Sequence, residues 1–331
     1  MARPVVVVTG ASGGVGRATA VAFARQGFDV ALLARGRAGL EAAAKEVEAA
    51  GGRALAIPTD VAVWEEVDAA AERAETELGP IDVWVNNAMA TVFGWAMEIE
   101  PAEIRRATEV TYLGQVHGTL AALHRMVPRN RGRIVDVGSA LAFVGIPLQA
   151  AYCGAKFACR GFFQSVRAEL LHRGSRVTMS MVHLPAVKTP QFEWSAVRVP
   201  KEPQPVPPMY PPEVAATSIV RAALDGRPSK VLGAWNKIVV AAASLAPGVI
   251  NHYSARTGVE SQQTSQPVAP GRPDNLHRPA DEHDDYGAHG RFSDQSGGST
   301  DPSFLRSFPK TVGAFGKAVA DAVSARRAGG R

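Results

Sequence analysis

The chain has 331 residues, of which 46% are hydrophobic and 20% are charged, and its formal net charge is +5. This length is enough to bury one α/β core of about 240 to 260 residues and to leave an appendage. The positive charge is modest and forms no lysine and arginine stripe with interleaved aromatic residues, which argues against a nucleic-acid partner.

The chain begins with a strand pattern and a glycine-rich turn. Residues 4–16 read PVVVVTGASGGVG, and a continuous β-branched run is typical of a strand covered on both faces. A glycine-rich turn between strand and helix lets backbone amides approach a pyrophosphate at a positive helix N-terminus. The spacing is TGxxxGxG rather than GxGxxG, but its placement predicts a dinucleotide site formed by Thr9, Gly10, Ser12, Gly14, Val15 and Gly16.

The end of the second strand indicates which cofactor is used. In FDVALLARGRAGL, Ala34 stands where a carboxylate would accept hydrogen bonds from the adenosine ribose, and Arg35 follows it. An arginine here suits a 2′-phosphate. NADP(H) is therefore favoured, and NAD(H) is the alternative because Arg35 could instead form a surface ion pair. Arg17 could assist or face solvent.

Strand and helix patterns alternate along the first part of the chain. This alternation predicts a doubly wound, Rossmann-like parallel sheet covered on both sides, within a catalytic domain spanning 1–255. The helical patterns lie near 15–26, 37–51, 63–78, 101–127, 152–173 and 212–225.

Three side chains further along can polarise a carbonyl and give it a proton. Ser139 ends the run RIVDVGS, and Tyr152 and Lys156 stand four positions apart in AYCGAK. Residues i and i+4 share one helix face, so the ammonium would lie near the phenol and favour its ionised form. A YxxxK pair alone is usually a chance surface pair, so its context decides.

TGASGGVG, NNAM at 86–89, Ser139 and YCGAK together resemble the short-chain dehydrogenase/reductase family, over roughly residues 4 to 235. The resemblance implies that Tyr152 is the acid and base, that Lys156 holds the nicotinamide ribose, and that Ser139 orients the substrate oxygen. Tyr152 and Lys156 would also contact the cofactor. Further cofactor-binding positions implied by the resemblance are Asp60, Val61, Asn87, Ala88, Pro185 and Thr189.

The chain departs from the family pattern at two positions. Thr111, in EVTYLGQVHG, takes the place of an asparagine that helps hold a water in the proton relay. A threonine can still hydrogen-bond a water, so Thr111 is kept as a candidate catalytic residue. Met89 replaces the usual glycine of NNAG, where a flexible side chain would fill space near the nicotinamide.

The substrate region is apolar and rich in proline. The run VRVPKEPQPVPPMYPPE predicts an extended lid, and Phe192, Trp194 and Met209 supply apolar contacts, which indicates a small hydrophobic carbonyl or alcohol substrate. The apolar stretch 238–250 is too short to span a bilayer. It could cap the substrate pocket, lie in a membrane interface or pack against another subunit.

The composition changes after residue 255. Segment 256–300 is polar and predicts an extended or disordered arm, which could dock on a neighbouring surface or be an irregular tail. Segment 301–331 has the spacing of a basic amphipathic helix. Packing against a partner or a second copy is favoured over peripheral membrane contact, and a homo-oligomer is expected.

These patterns predict an NADP(H)-dependent oxidoreductase that interconverts a hydrophobic ketone or aldehyde with its alcohol. The alternative is a cofactor-binding interaction or redox-sensing protein with weak or no turnover. MARPVVVV does not resemble a signal peptide, and Cys153 and Cys159 are poorly spaced for a disulfide, so a cytoplasmic location is expected. The histidines have no metal-ligand spacing, and no metal is expected.

Overall fold

The computed structural model describes residues 2–295, and its central feature is a seven-stranded sheet. The predicted helix at 301–331 lies outside the described residues. The seven strands are β1 (Val5–Thr9), β2 (Asp29–Ala34), β3 (Ala54–Pro58), β4 (Ile81–Asn86), β6 (Arg133–Ser139), β7 (Thr178–Leu184) and β12 (Ser229–Val231). Every strand pair in the sheet is parallel, in the order β12-β7-β6-β4-β1-β2-β3.

Helices cover both faces of this sheet, which confirms the predicted doubly wound architecture. The helices are α1 (Gly14–Arg25), α2 (Arg37–Ala49), α3 (Trp64–Glu77), α4 (Pro101–Thr108), α5 (Gly114–Met126), α6 (Ala150–His172), α7 (Gln191–Trp194), α8 (Pro212–Asp225), α9 (Ala234–Leu245) and α10 (Pro247–Ser261). Helices α1, α2 and α8 pack on one face, and α3, α5 and α6 pack on the other.

The core follows from the β-branched run of β1. Val6 pairs with Val30 of β2 and Val83 of β4, and its side chain faces the α1 side, whereas Val5 and Val7 face the α3 side. Because successive side chains of a strand point to opposite faces, an uninterrupted apolar strand supplies two cores. Packing on both faces holds the sheet in place. The carboxyl ends of β1, β2, β4, β6 and β7 lie along one edge of it.

The predicted helix at 101–127 is interrupted. A π-helical turn, Glu109–Leu113, separates α4 from α5, and it contains Thr111. Such single π turns occur within α-helices and are frequent at functional sites. The interruption matters because it places the Thr111 hydroxyl against the chain that follows β4.

Short strands and two further helices complete the described chain. The expected boundary at residue 255 falls inside α10, which continues because Ile250, Ser254 and Gly258 pack inward. Residues 268–295 then follow an irregular path over this chain's own surface, with Leu276 and Phe292 buried, although an extended or disordered arm was expected over 256–300. The short strands are β5 (Val92–Phe93), β8 (Ala186–Val187), β9 (Ala196–Val197), β10 (Lys201–Pro203), β11 (Met209–Tyr210) and β13 (Gln263–Pro267).

Candidate active site

The glycine turn after β1 has a backbone that requires glycine. Gly14 has a φ of +54°, in the left-handed region that disfavours other residues. A Cβ at Gly16 would lie 2.0 Å from the carbonyl oxygen of Gly10. Helix α1 begins at this turn without a side-chain cap, and the amide of Gly14 donates to the carbonyl of Gly287 at 3.1 Å.

Asn87 holds this turn against the end of β4. Its side-chain Nδ2 donates to the carbonyls of Thr9 at 2.9 Å and Gly10 at 3.3 Å. The Thr9 hydroxyl accepts in return from the backbone amides of Asn87, at 2.9 Å, and Ala88, at 3.0 Å. Thr9 and Asn87 therefore fix the shape of the turn.

The predicted catalytic trio lies at the ends of β6 and α6. Lys156 is buried, and its Nζ donates to the carbonyl of Val137 at 2.8 Å and lies 5.7 Å from the ring centroid of Tyr152. Ser139 accepts from the backbone amide of Leu141 at 3.1 Å, so its own hydrogen remains available to donate. Within residues 2–295, no hydrogen bond engages the half-buried Tyr152 phenol.

One cavity of about 730 Å³ joins the glycine turn to the trio. The glycine turn at one end and Ser139, Tyr152 and Lys156 at the other fit a dinucleotide laid across the carboxyl edge of the sheet. The predicted residues that line the cavity are Gly10, Ser12, Gly14, Val15, Arg35, Asp60, Val61, Asn87, Ala88, Ser139, Tyr152, Lys156, Pro185 and Thr189.

Thr9, Gly16 and Thr111 lie behind the cavity wall rather than on it. The buried Thr111 hydroxyl donates to the carbonyl of Ala90 at 2.8 Å and accepts from its amide at 2.9 Å. Its only donor is thus used by the backbone, which differs from the expected water-holding role. The geometry instead makes Thr111 a clamp on the segment after β4.

The adenosine end of the cleft is surrounded by arginines and by the polar arm. Arg35 donates to the carbonyls of Asn275, Leu276 and His277, the last at 3.2 Å. Asp60 forms an ion pair of 2.5 Å with Arg106. The alternative role of Arg35, a surface ion pair, is not seen among the described residues, where the arm contacts its guanidinium.

Arg17 does not face solvent. Only 3% of its side chain is exposed, and it forms ion pairs with Glu46 of α2, at 2.8 Å, and with Asp285 of the arm. A buried charge is stable only when it is paired, so these carboxylates hold the arginine away from a free role in phosphate binding.

The substrate end of the cavity is mainly apolar. Phe192 and Trp194 line it, as do Pro205 and Pro207 of the extended lid, whereas Met209 is buried in β11 outside the lining. Helices α9 and α10 contribute to the lining at this end, including Ile238, Val239, Ala242 and Ile250 of the stretch 238–250, although no residue of α9 is buried. Their lining residues are Trp235, Asn236, Ile238, Val239, Ala242, Ile250, Tyr253, Ser254, Thr257, Gly258 and Ser261.

Two ionisable groups lie buried behind the trio. Burial raises the pKa of Asp136 to about 7, despite a hydrogen bond of 2.9 Å from Asn86 and the nearby charge of Lys156. Burial lowers the pKa of His183 to about 4, so the ring is neutral at neutral pH. His183 Nδ1 lies 3.2 Å from the carbonyl of Ser139 and supports the end of β6.

The two cysteines are buried thiols rather than reactive ones. Burial raises the pKa of Cys153, and it raises that of Cys159 to about 11. Because the thiolate is the reactive form, neither is suited to act as a nucleophile. Across residues 2–295, no set of three histidine, cysteine or acidic side chains is placed to bind a metal ion.

Sequence comparison decides the family of this site. A profile of short chain dehydrogenases matches residues 4–196, which contain the turn and the trio. The chain belongs to the short-chain dehydrogenase family. This dehydrogenase is 32% identical to the oxidoreductase YxnA of Bacillus subtilis over 268 residues, which cover 80% of this chain and 75% of YxnA. It is 34% identical to the 3-dehydrosphinganine reductase of Danio rerio over 192 residues, or 56% of this chain and 57% of that protein.

A solved structure agrees with the fold. An alcohol dehydrogenase from the archaeon Thermococcus sibiricus, in complex with 5-hydroxy-NADP, superposes with a TM-score of 0.60 at 26% identity. The match covers 69% of this dehydrogenase and 94% of the archaeal chain. The central sheet and its flanking helices therefore share the fold of the archaeal enzyme, and the family profile places this chain among the oxidoreductases.

The arm supplies lining residues that the sequence did not indicate. Asn275 and Asp281 reach the cavity from a polar segment with no periodic pattern. The acidic run ADEHDDYG gave no sign of its target, because its contacts are distant in sequence.

In the described part of the chain, no helix is both long and apolar enough to cross a bilayer.

Proposed function

We propose that this dehydrogenase uses NADP(H) to interconvert a hydrophobic ketone or aldehyde with its alcohol, with Tyr152 as acid and base. The observation that carries the proposal is the cavity that Ser139, Tyr152 and Lys156 share with the glycine turn. A pure cofactor-binding protein, the alternative function, has no need of a phenol at this position. The intact trio therefore favours catalysis.

The protein's own groups have distinct tasks. Ser139 donates to the substrate oxygen, because its acceptor side is already bonded to Leu141. Tyr152 transfers the proton to or from that oxygen, and the ammonium of Lys156 lies 5.7 Å from the centroid of its ring. A bound nicotinamide cofactor would supply or accept the hydride at the carbonyl carbon.

The cofactor preference rests on the end of β2. Ala34 offers no carboxylate to ribose hydroxyls, whereas Arg35 lines the cavity and can pair with a 2′-phosphate once its bonds to the arm are exchanged. The archaeal relative in complex with 5-hydroxy-NADP supports the same preference. NAD(H) is the alternative cofactor.

The proposed substrate class rests on helix α9. Trp235, Ile238 and Val239 supply apolar surface where a substrate would extend from Tyr152. Burying apolar area of a ligand contributes roughly 25 cal/mol per Å². A hydrophobic carbonyl compound gains from this surface, and a small charged one does not. The expected homo-oligomer and cytoplasmic location remain predictions.

The test compares the turnover of wild type with that of a matched pair of variants. Purified protein is mixed with NADPH and a panel of hydrophobic ketones and aldehydes, and loss of nicotinamide absorbance is followed. Tyr152→Phe should abolish turnover and leave NADPH binding intact. Tyr112→Phe removes a phenol that packs on Phe162 outside the cavity, and it should retain turnover. NADPH binding without turnover across the panel would favour the alternative function.

A further inference from the structure

Residues 275–290 form a strap across the mouth of the nucleotide cleft. Its first residue, Asn275, donates its amide to the carbonyl of Trp194 at 2.8 Å, and its last, Gly290, donates to the carbonyl of Lys188 at 3.2 Å. Between them, the carbonyl of Gly287 accepts from the amide of Gly14 in the glycine turn at 3.1 Å. The strap is thus bonded at both ends and over the turn.

Apolar contacts hold the strap in place. Leu276 is 1% exposed and belongs to the main core. The ring of Tyr286 packs edge-on against Trp194, with centroids 5.0 Å apart. A polar segment with these anchors and a paired Asp285 has a fixed position on the cleft.

Asp281 enters the cleft beside the N-terminus of α2. Its backbone carbonyl accepts from the amide of Gly39 at 3.2 Å. Its carboxylate lies so close to the backbone that a Cβ on Gly36 would be 1.9 Å from Oδ1, and one on Gly39 would be 2.5 Å from Oδ2. The two glycines therefore leave the space that this carboxylate occupies.

The Asp281 side chain faces the cavity, and its carboxylate makes no hydrogen bond within residues 2–295. The residue is 7% exposed and lines the cavity with Ser12 and Arg35. The charge of Arg35 is close enough to attract it, but among the hydrogen bonds within residues 2–295 none is made by its side-chain oxygens. The acceptor sites of a carboxylate that lines the cavity are therefore available to a ligand that supplies hydroxyl donors.

We propose that Asp281 determines cofactor specificity. The strap places its carboxylate where it can contact the adenosine ribose. In dinucleotide-binding folds, a carboxylate at the end of the second strand accepts hydrogen bonds from the ribose hydroxyls. Here that position is Ala34, and Asp281 brings the missing carboxylate from the strap. A 2′-phosphate is repelled by the same charge, because both groups are anionic.

The strap also competes with a 2′-phosphate for the guanidinium of Arg35. The guanidinium of Arg35, which would pair with a 2′-phosphate, donates to carbonyls of Asn275, Leu276 and His277. A 2′-phosphate must displace these acceptors, whereas a ribose hydroxyl need not. Asp281 therefore limits the preference for NADP(H) that Arg35 confers. This inference rests on the proposed use of a nicotinamide cofactor.

The test is direct binding to the full-length protein. Dissociation constants of NADPH, NADH, adenosine 2′,5′-bisphosphate and 5′-AMP are measured by calorimetry for wild type and Asp281→Asn. The variant should shift the NADPH to NADH affinity ratio towards NADPH by about tenfold or more, which corresponds to about 1.4 kcal/mol. The bisphosphate to AMP ratio should shift in the same direction, which needs no turnover.

Asp284→Asn is the matched control, because Asp284 carries the same charge on the strap but is exposed and does not line the cavity. Its ratio should stay within twofold of wild type. Asp281→Ala is the second variant in case Asp281→Asn does not fold, and it should shift the ratio in the same direction. An unchanged NADPH to NADH affinity ratio in a folded Asp281 variant, or an equal shift in Asp284→Asn, would overturn this inference but not the proposed function. Failure of wild type to bind either dinucleotide would overturn the proposed function as well.

Discussion

Asn87 Nδ2 donates to the main-chain carbonyl of Thr9 at 2.9 Å, and this bond joins the end of β4 to the end of β1. The two strands are neighbours in the sheet, so the bond closes the carboxyl edge where the nucleotide would lie. The shape of the glycine turn therefore depends on a side chain far from it in sequence.

Replacement of Asn87 should loosen this turn. Asn87→Ala removes both side-chain bonds and leaves the carbonyls of Thr9 and Gly10 without them, so we expect a loss of about 1 to 3 kcal/mol in unfolding free energy. NADPH affinity should also fall. Urea denaturation and calorimetric titration measure the two effects. Wild-type stability together with wild-type affinity would contradict the assigned role.

Gly16→Ala should abolish nucleotide binding or folding. Its Cβ would lie 2.0 Å from the carbonyl oxygen of Gly10, and this oxygen belongs to the backbone, so the turn must move. Gly154→Ala in α6 is the control, because nothing but its chain neighbours and the nearby backbone of its own helix lies within 4 Å of its Cβ position. That control should be neutral or stabilising by up to about 1 kcal/mol. The two variants are compared by titration with NADPH and by thermal melting. Tight NADPH binding by Gly16→Ala would be inconsistent with the turn geometry.

Thr111→Val should destabilise the protein. The substitution keeps the shape but leaves the amide and carbonyl of Ala90 without their buried partner, at a cost of about 1 to 3 kcal/mol. Thr111→Ser restores the hydroxyl and should recover most of that loss. Denaturant unfolding gives the measurement. If Thr111→Val had wild-type stability but no turnover, a relay role would be supported instead of a clamp.

The buried Asp136 carboxylate should make the protein less stable as pH rises. Its pKa is raised from 3.8 to about 7 in the folded chain, so the folded state retains a proton that the unfolded state releases. Stability from this group is complete below about pH 4 and is lost as pH rises towards 7, by at most about 1.4 kcal/mol per pH unit. Asp136→Asn should remove that contribution, so its advantage in melting temperature over wild type should grow from pH 5 to pH 8. An advantage independent of pH would contradict the raised pKa.

Local patterns made the fold and most of the site predictable. The valines of β1 indicate a strand buried on both faces, and the spacing of Tyr152 and Lys156 places both on one face of α6. Each of these predictions depends on residues that are close in sequence. The parallel sheet then brings the strand ends to one edge without further information.

Contacts between distant residues were not predictable. The position of Asp281 depends on Gly36 and Gly39, and neither their spacing nor the polar composition of the arm indicates this contact. The π-helical turn that directs Thr111 to Ala90 likewise leaves no periodic signal. Such features arise from packing of the assembled chain, so a single sequence does not reveal them.

The most direct test of the central claim is a single-turnover reduction by Tyr152→Phe. The variant is loaded with NADPH, mixed with a ketone that wild type reduces, and followed by nicotinamide absorbance. NADPH affinity within a few-fold of wild type, with the rate of oxidation reduced at least about a hundredfold, is the expected result. Oxidation at the wild-type rate would show that the phenol transfers no proton and would contradict the assignment of the site.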